Sequence, residues 1–291
     1  MSDNARRFCF ASGPVRGEWV NLSESFHTVI RQHRYPPEKA HVLGELLCVA
    51  VLLTSTMKFE GEMTVQLETT GAISTLVAKC SHEFRIRGFM DWNREASPEA
   101  VEQSFDQGKL VVTVKGADNT ILYQSMVPLE GCRVSAALEH YFVQSEQVPT
   151  RFWLVVSETQ VVGLMLQRLP MKAGESAEQA EHLWEEVCHL TETVKPEELS
   201  TWDLETLIKK MYAEHDVELF ESRKVWFGCT CSVERMEQAV FTLEPVESKL
   251  LMEQGGTVDV TCQYCGKSYG FDAIALKRIF AKQAKKNKKA K

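Results

Sequence analysis

The chain has 291 residues, 44% hydrophobic and 25% charged, with a formal net charge of −7. This is enough apolar content for a packed core, and enough length for one large and one small domain. The negative balance excludes a protein whose main work is gripping phosphate backbones, so nucleic acid is not an expected partner.

In chain order, "MSDNARRFCFASGPVRGEWV" (1–20) has no apolar run ahead of a small-residue cleavage pattern, so no secretory signal is expected. The most apolar run, 42–53, carries Glu45 and is short for a membrane span, which predicts a buried core helix. A cytoplasmic protein with no membrane partner is expected. There its nine cysteines would stay reduced and serve packing, metal binding or redox chemistry.

"EMTVQLET" (62–69) sets Met63, Val65 and Leu67 against Thr64, Gln66 and Glu68, the alternation of a half-buried strand. "STLVAKC", "EFRIRGFM", "KLVVTV" and "TILYQSMV" predict further strands between Gly, Asp and Asn turn signals. "CRVSAALEHYFVQSE" (132–146) places Val134, Ala137, Leu138, Tyr141 and Phe142 on one helical face, and "RFWLVVS" and "VVGLMLQRL" predict two more strands. Strands do not alternate regularly with helices, which predicts an α+β fold over 1–173 rather than a doubly wound sheet.

The character changes at 174. Over 175–221 acidic residues outnumber Lys and Arg several-fold. Ala177, Ala180, Leu183, Trp184, Val187 and Cys188 follow helical spacing, as do Leu199, Trp202, Leu207, Ile208, Met211 and Tyr212, with Ser200 and Asp203 placed as a capping pair. Such like-charged helices either form an ordinary packed helical subdomain or, because of their self-repulsion, fold only against another surface as a linker would. The last residues, 281–291, are Lys-rich and read as a solvated, disordered tail.

Between linker and tail, 229–280 holds Cys229 and Cys231 as Cys-x-Cys and Cys262 and Cys265 as Cys-x-x-Cys. Four thiolates suit the corners of a closed structural zinc site, and Gly266 suits the tight turn after the second pair. Cys-x-Cys and the long spacer depart from common two-knuckle spacing. The alternative, two permanent disulfides, is opposed by a reducing compartment. Residues two apart bridge only if the chain bends, so a Cys229–Cys231 disulfide would be readily reduced. The residues permit a switch without establishing one.

The sequence closely resembles the redox-regulated 33-kDa chaperonin, or heat-shock protein 33, family over nearly its whole length. The likeness is densest in "YQSMVPLEGCRVSAALEHYFVQSEQVPT", "LMLQRLP", "HDVELFESRKVWFGCTCSVERM" and "CQYCGKSYGF". It implies an ATP-independent holdase, not an enzyme, kept inactive with one Zn2+ on Cys229, Cys231, Cys262 and Cys265. It implies disulfides Cys229–Cys231 and Cys262–Cys265 on oxidation, zinc loss, and unfolding of a helical linker over 174–228 that exposes apolar surface to unfolding client proteins. A homodimeric active form and downstream ATP-dependent chaperones are implied as well. Val162 stands where the likeness leads one to expect a glycine, which bears on a strand bend and not on the cysteines. Cys9, Cys48, Cys80, Cys132 and Cys188 lie outside the motif and read as small buried hydrophobes, with Cys188 exposed if the linker unfolds. The client surface is expected either on Leu183, Trp184, Trp202, Leu207 and Met211 of the linker or on a sheet patch beneath it. The rival reading is a static zinc ribbon binding nucleic acid or a protein partner, indifferent to redox state.

Overall fold

The computed structural model describes residues 2–106, 108–131, 133–171, 176–240 and 257–289, with 98, 102 and 282–289 described by their backbone alone. Two compact units emerge, Met1–Gly228 and Cys229–Lys291. The fold is α+β. The expected boundary between sheet domain and linker, at 173 and 174, lies outside the described residues.

The larger unit runs β1 (Asn4–Phe10), β2 (Val15–Leu22), α1 (Glu24–His33), α2 (Pro37–Thr56), β3 (Gly61–Glu68), β4 (Ile73–Ser81), β5 (Arg85–Trp92) and α3 (Pro98–Gln103). It continues with β6 (Lys109–Gly116), β7 (Ile121–Pro128), α4 (Val134–Gln144), β8 (Thr150–Val156) and β9 (Val161–Arg168). Then come α5 (Ala177–Glu192), α6 (Pro196–Thr201), α7 (Leu204–Met211), β10 (Val217–Leu219), β11 (Arg223–Lys224) and β12 (Trp226–Phe227).

Two sheets result. One has the order β10-β1-β2-β9-β8, with β11 also on β1; the other has the order β12-β5-β4-β3-β6-β7. The predicted alternation of β3 holds, with Met63, Val65 and Leu67 fully buried. Helix α2 is the shared centre. Its residues Leu43, Leu46, Leu47, Val51 and Leu52 join the inner faces of both sheets in one core. At 20 residues it is longer than the apolar run predicted, and long and apolar enough to cross a membrane, yet 78% of that stretch is buried inside the protein. A helix apolar on every side is what a position between two sheets demands.

Helix α2 reaches β9 closely at one glycine. A Cβ on Gly163 would lie 2.3 Å from the Sγ of Cys48. Gly163→Ala is therefore expected to cost about 1–3 kcal/mol by overpacking, read as a lower melting temperature. Its neighbour Val162 causes no break in strand register, pairing evenly with Asn21 and Val155; its side chain is fully buried on the opposite face of the sheet.

That opposite face carries the helices of the segment expected as the linker, which lies within the larger unit. Helices α5, α6 and α7 bury Leu183, Val187, Leu199, Leu204, Leu207 and Tyr212 against Phe8, Phe10, Trp19, Leu164 and Leu166. The phenolic O–H of Tyr212 lies 2.6 Å from the hydroxyl of Thr191, tying α7 to α5. Of the expected capping pair only Asp203 caps: it accepts from the Thr206 N–H at 2.8 Å. Ser200 instead donates to the Glu197 carbonyl, because α6 and α7 are separate short helices.

The linker was expected to be helical to 228, but 217–227 forms three short strands. Strands β10 and β11 pair with β1, and β12 runs parallel beside β5. Asp3 adds a cap across the chain, its carboxylate accepting the backbone N–H groups of Ser23, Glu24 and Ser25 at the start of α1.

The smaller unit contains α8 (Val233–Val240), a hairpin of β13 (Val258–Thr261) and β14 (Ser268–Phe271), and α9 (Ala273–Lys289). The basic segment expected as a disordered tail thus continues α9 as helix to Lys289. Among the described residues its fully buried apolar core is Val240, Phe271, Leu276 and Ile279.

Candidate metal centre and linker surface

Cys229 and Cys231 sit on the loop between β12 and α8, and Cys262 and Cys265 on the β13–β14 turn. Gly266 turns the chain there with φ +66°, the left-handed conformation glycine adopts most easily. Its N–H donates to the Cys262 carbonyl at 2.8 Å, and the Cys262 N–H donates to the Lys267 carbonyl at 2.9 Å. This tight hairpin aims both sulfurs of the second pair one way.

All four Sγ atoms lie within 4.8 Å of one another. Cys229 faces Cys262 at 3.6 Å, and Cys231 faces Cys265 at 3.4 Å. These separations are far beyond an S–S bond of about 2.05 Å. A tetrahedral ion with metal–sulfur bonds of about 2.3 Å needs sulfurs about 3.8 Å apart, and this donor set fits it.

The thiols differ in acidity. Burial pushes Cys229 and Cys265 up. Burial also works to raise Cys231, but the Tyr269 hydroxyl and the surrounding sulfurs outweigh it and bring Cys231 down to about 7. Tyr269 donates to the Cys231 Sγ at 3.1 Å, and the Lys267 ammonium lies 5.1 Å from the centre of the Tyr269 ring. Tyr269 is not among the residues expected from the sequence, because it is not a ligand type. The signal was its place on the strand that leaves the Cys-x-x-Cys turn.

The model of the family described as Hsp33 protein matches residues 3–272. The chain belongs to the Hsp33 family. It is 38% identical to a 33 kDa chaperonin of Shewanella sp. (strain MR-4), covering 97% of this chain and 96% of that one. It is 36% identical to a 33 kDa chaperonin of Pseudomonas aeruginosa (strain LESB58), covering 96% and 95%. The crystal structure of the Thermotoga maritima 33 kDa chaperonin shares the fold, with a TM-score of 0.80 at 21% identity over 97% of this chain and 99% of that one.

Within this Hsp33 fold the remaining thiols stand apart from the cluster. Cys48 and Cys80 are fully buried in the α2 core, Cys9 is half-buried on β1 rather than buried, and Cys132 lies outside the described residues. Cys188 is buried on α5 at the sheet, and burial raises it to about 12 from the usual 9.0. At pH 8 that lowers its thiolate fraction about a thousandfold. Cys188 should therefore resist iodoacetamide while the linker is seated and react freely once it leaves, read by mass spectrometry.

The two expected client surfaces are halves of one interface. Leu183 and Leu207 are buried, and Trp184, Trp202 and Met211 half-buried, in the same cluster as the sheet face.

Proposed function

We propose that this chain is a redox-gated, ATP-independent holdase whose four clustered thiolates hold one zinc ion in the reduced, inactive form. The observation that carries the reading is the convergence of four sulfurs from two sequence motifs within 4.8 Å. Bound zinc supplies a cross-link between the Cys229–Cys231 loop and the β13–β14 hairpin. When two thiolates are oxidised to a disulfide, two electrons pass to the oxidant, and hydrogen peroxide is reduced to water. Each such bond withdraws two ligands at once. The proposed pairs are Cys229–Cys231 and Cys262–Cys265, as the family likeness implies, and peptide mapping of the oxidised protein tests them.

The linker at 174–228 is the proposed two-state element. The reading is supported by its continuity with Cys229 and by its apolar face, which needs the sheet to stay folded. Its release would uncover apolar surface on both partners for unfolding clients. A cytoplasmic location, a dimeric active form and transfer of clients to ATP-dependent chaperones belong to the same reading.

The test is light scattering from an aggregating client. The zinc-loaded reduced protein is expected to leave aggregation unchanged, and the peroxide- or hypochlorite-treated protein to suppress it at near-stoichiometric ratio. Equal behaviour in both states would leave a static zinc module.

A further inference from the structure

We infer that the linker-facing side of the first sheet is a docking surface for acidic amphipathic segments of unfolding proteins, with α5–α7 as its resident occupant. This rests on the holdase reading and adds the chemistry that the surface selects.

Strand alternation decides which side chains share the linker side. On β1 the residues sharing the linker side are Arg6, Phe8 and Phe10; on β8 they are Arg151, Trp153 and Val155. On β9 they are Val162, Leu164, Leu166 and Arg168. Each of these three strands therefore carries one arginine in line with its apolar row. Register spreads the arginines around the patch. Arg6 lies beside Trp19, which lies beside Leu164. Arg151 lies on the edge strand beside Leu166, and Arg168 closes the far end beside Val15. No Asp or Glu occupies this side of β1, β2, β8 or β9. The acidic residue of these strands, Glu18, points the other way and is bound by Arg7 and Arg223.

The linker answers each arginine with a glutamate. Glu205 of α7 pairs with Arg6, Glu181 of α5 pairs with Arg168, and Glu192 of α5 meets Arg151 at 2.9 Å. Between them Leu183, Val187, Leu207 and Tyr212 fill the apolar patch. The segment seated on this surface is thus an apolar stripe flanked by carboxylates. A substitute that repeats this chemistry satisfies patch and rim together, whereas a basic one sets like charge against Arg6 and Arg168 and, less strongly, against Arg151, whose guanidinium also meets Glu139 of α4 at 3.2 Å. The arginine side chains keep 24%, 28% and 41% of their exposure, so the rim discriminates between partners more than it binds them.

The test uses the oxidised full chain and two labelled peptides followed by fluorescence anisotropy. One has the sequence of 177–192 with Cys188→Ala; the other also has every Glu replaced by Lys. The acidic peptide is expected to bind about tenfold tighter at low salt, with the gap closing as sodium chloride rises. In a variant with Arg6→Gln, Arg151→Gln and Arg168→Gln the ratio should fall to within about twofold. Equal binding of the two peptides by the parent, or a preference that the triple variant keeps, overturns the inference. So does a face that stays protected from hydrogen exchange on β1 and β9 and takes neither peptide, because a second copy or the linker itself then occupies it. An oxidised parent that suppresses aggregation of neither acidic nor basic clients removes the holdase reading, and this one with it.

Discussion

Leu207→Asp is expected to free the linker without any oxidant. Leu207 is fully buried on α7 at the centre of the linker–sheet cluster. A carboxylate there lacks a partner, and the cost of such a group is several kcal/mol. The stability of a whole domain is about 5–15 kcal/mol, and opening one layer requires less than opening all of it. The cheapest response is for α5–α7 to leave the sheet while the α2 core stays closed. Limited proteolysis should then cut within 177–212, and the reduced, metal-loaded variant should suppress client aggregation. Lys209→Asp, on the exposed side of the same helix, should cost only a few tenths of a kcal/mol and behave as the parent. A Leu207→Asp protein as silent as that control would show that linker release is not what activates the protein.

Removing the metal under reducing conditions should unfold the smaller unit. Its fully buried apolar side chains among the described residues are Val240, Phe271, Leu276 and Ile279, each contributing about 1.5–3 kcal/mol. Fixing the backbone costs about 1–2 kcal/mol for every residue ordered, so the core among the described residues offsets only part of that cost and a ligand cross-link is expected to supply the rest. Structural zinc supplies about 10–16 kcal/mol in such modules. Hydrogen exchange during titration with a strong chelator should show amides at 229–240 and 257–289 losing protection while those of α2 keep theirs. Protection that persists in the smaller unit after the metal has gone would refute this dependence.

The sequence spoke clearly where one face of an element meets core and the other meets water. Strand β3 alternates because only one side of it is covered, and α5 shows its stripe because Ala180, Leu183, Val187 and Cys188 meet a sheet while its other side meets solvent. Strand β2 is buried on both sides, with Trp19 toward the linker and Val20 toward α2, so its alternation is erased. Strands β10 to β12 span two or three residues each and exist because neighbours offer them hydrogen bonds, a long-range fact that leaves no local period. Likewise the cap on α1 comes from Asp3, some twenty residues upstream, where no local capping motif would place it. The four clustered cysteines were legible because thiol chemistry is written in residue type. Tyr269, which acts through one hydrogen bond, was not.

The short strands at the end of the larger unit also set an order of events. Reading back from Cys229, the chain first meets β12, held to β5 through Trp226 and Phe227. Next come β11 and β10, held to β1, and only then Tyr212 and α7. Disorder that begins at Cys229 therefore peels the chain away one small hold at a time, instead of lifting the whole layer at once. The barrier to peeling is set by the hardest single step, not by the total adhesion. Under the proposed mechanism the layer would give way more readily from the Cys229 end than from an undisturbed middle.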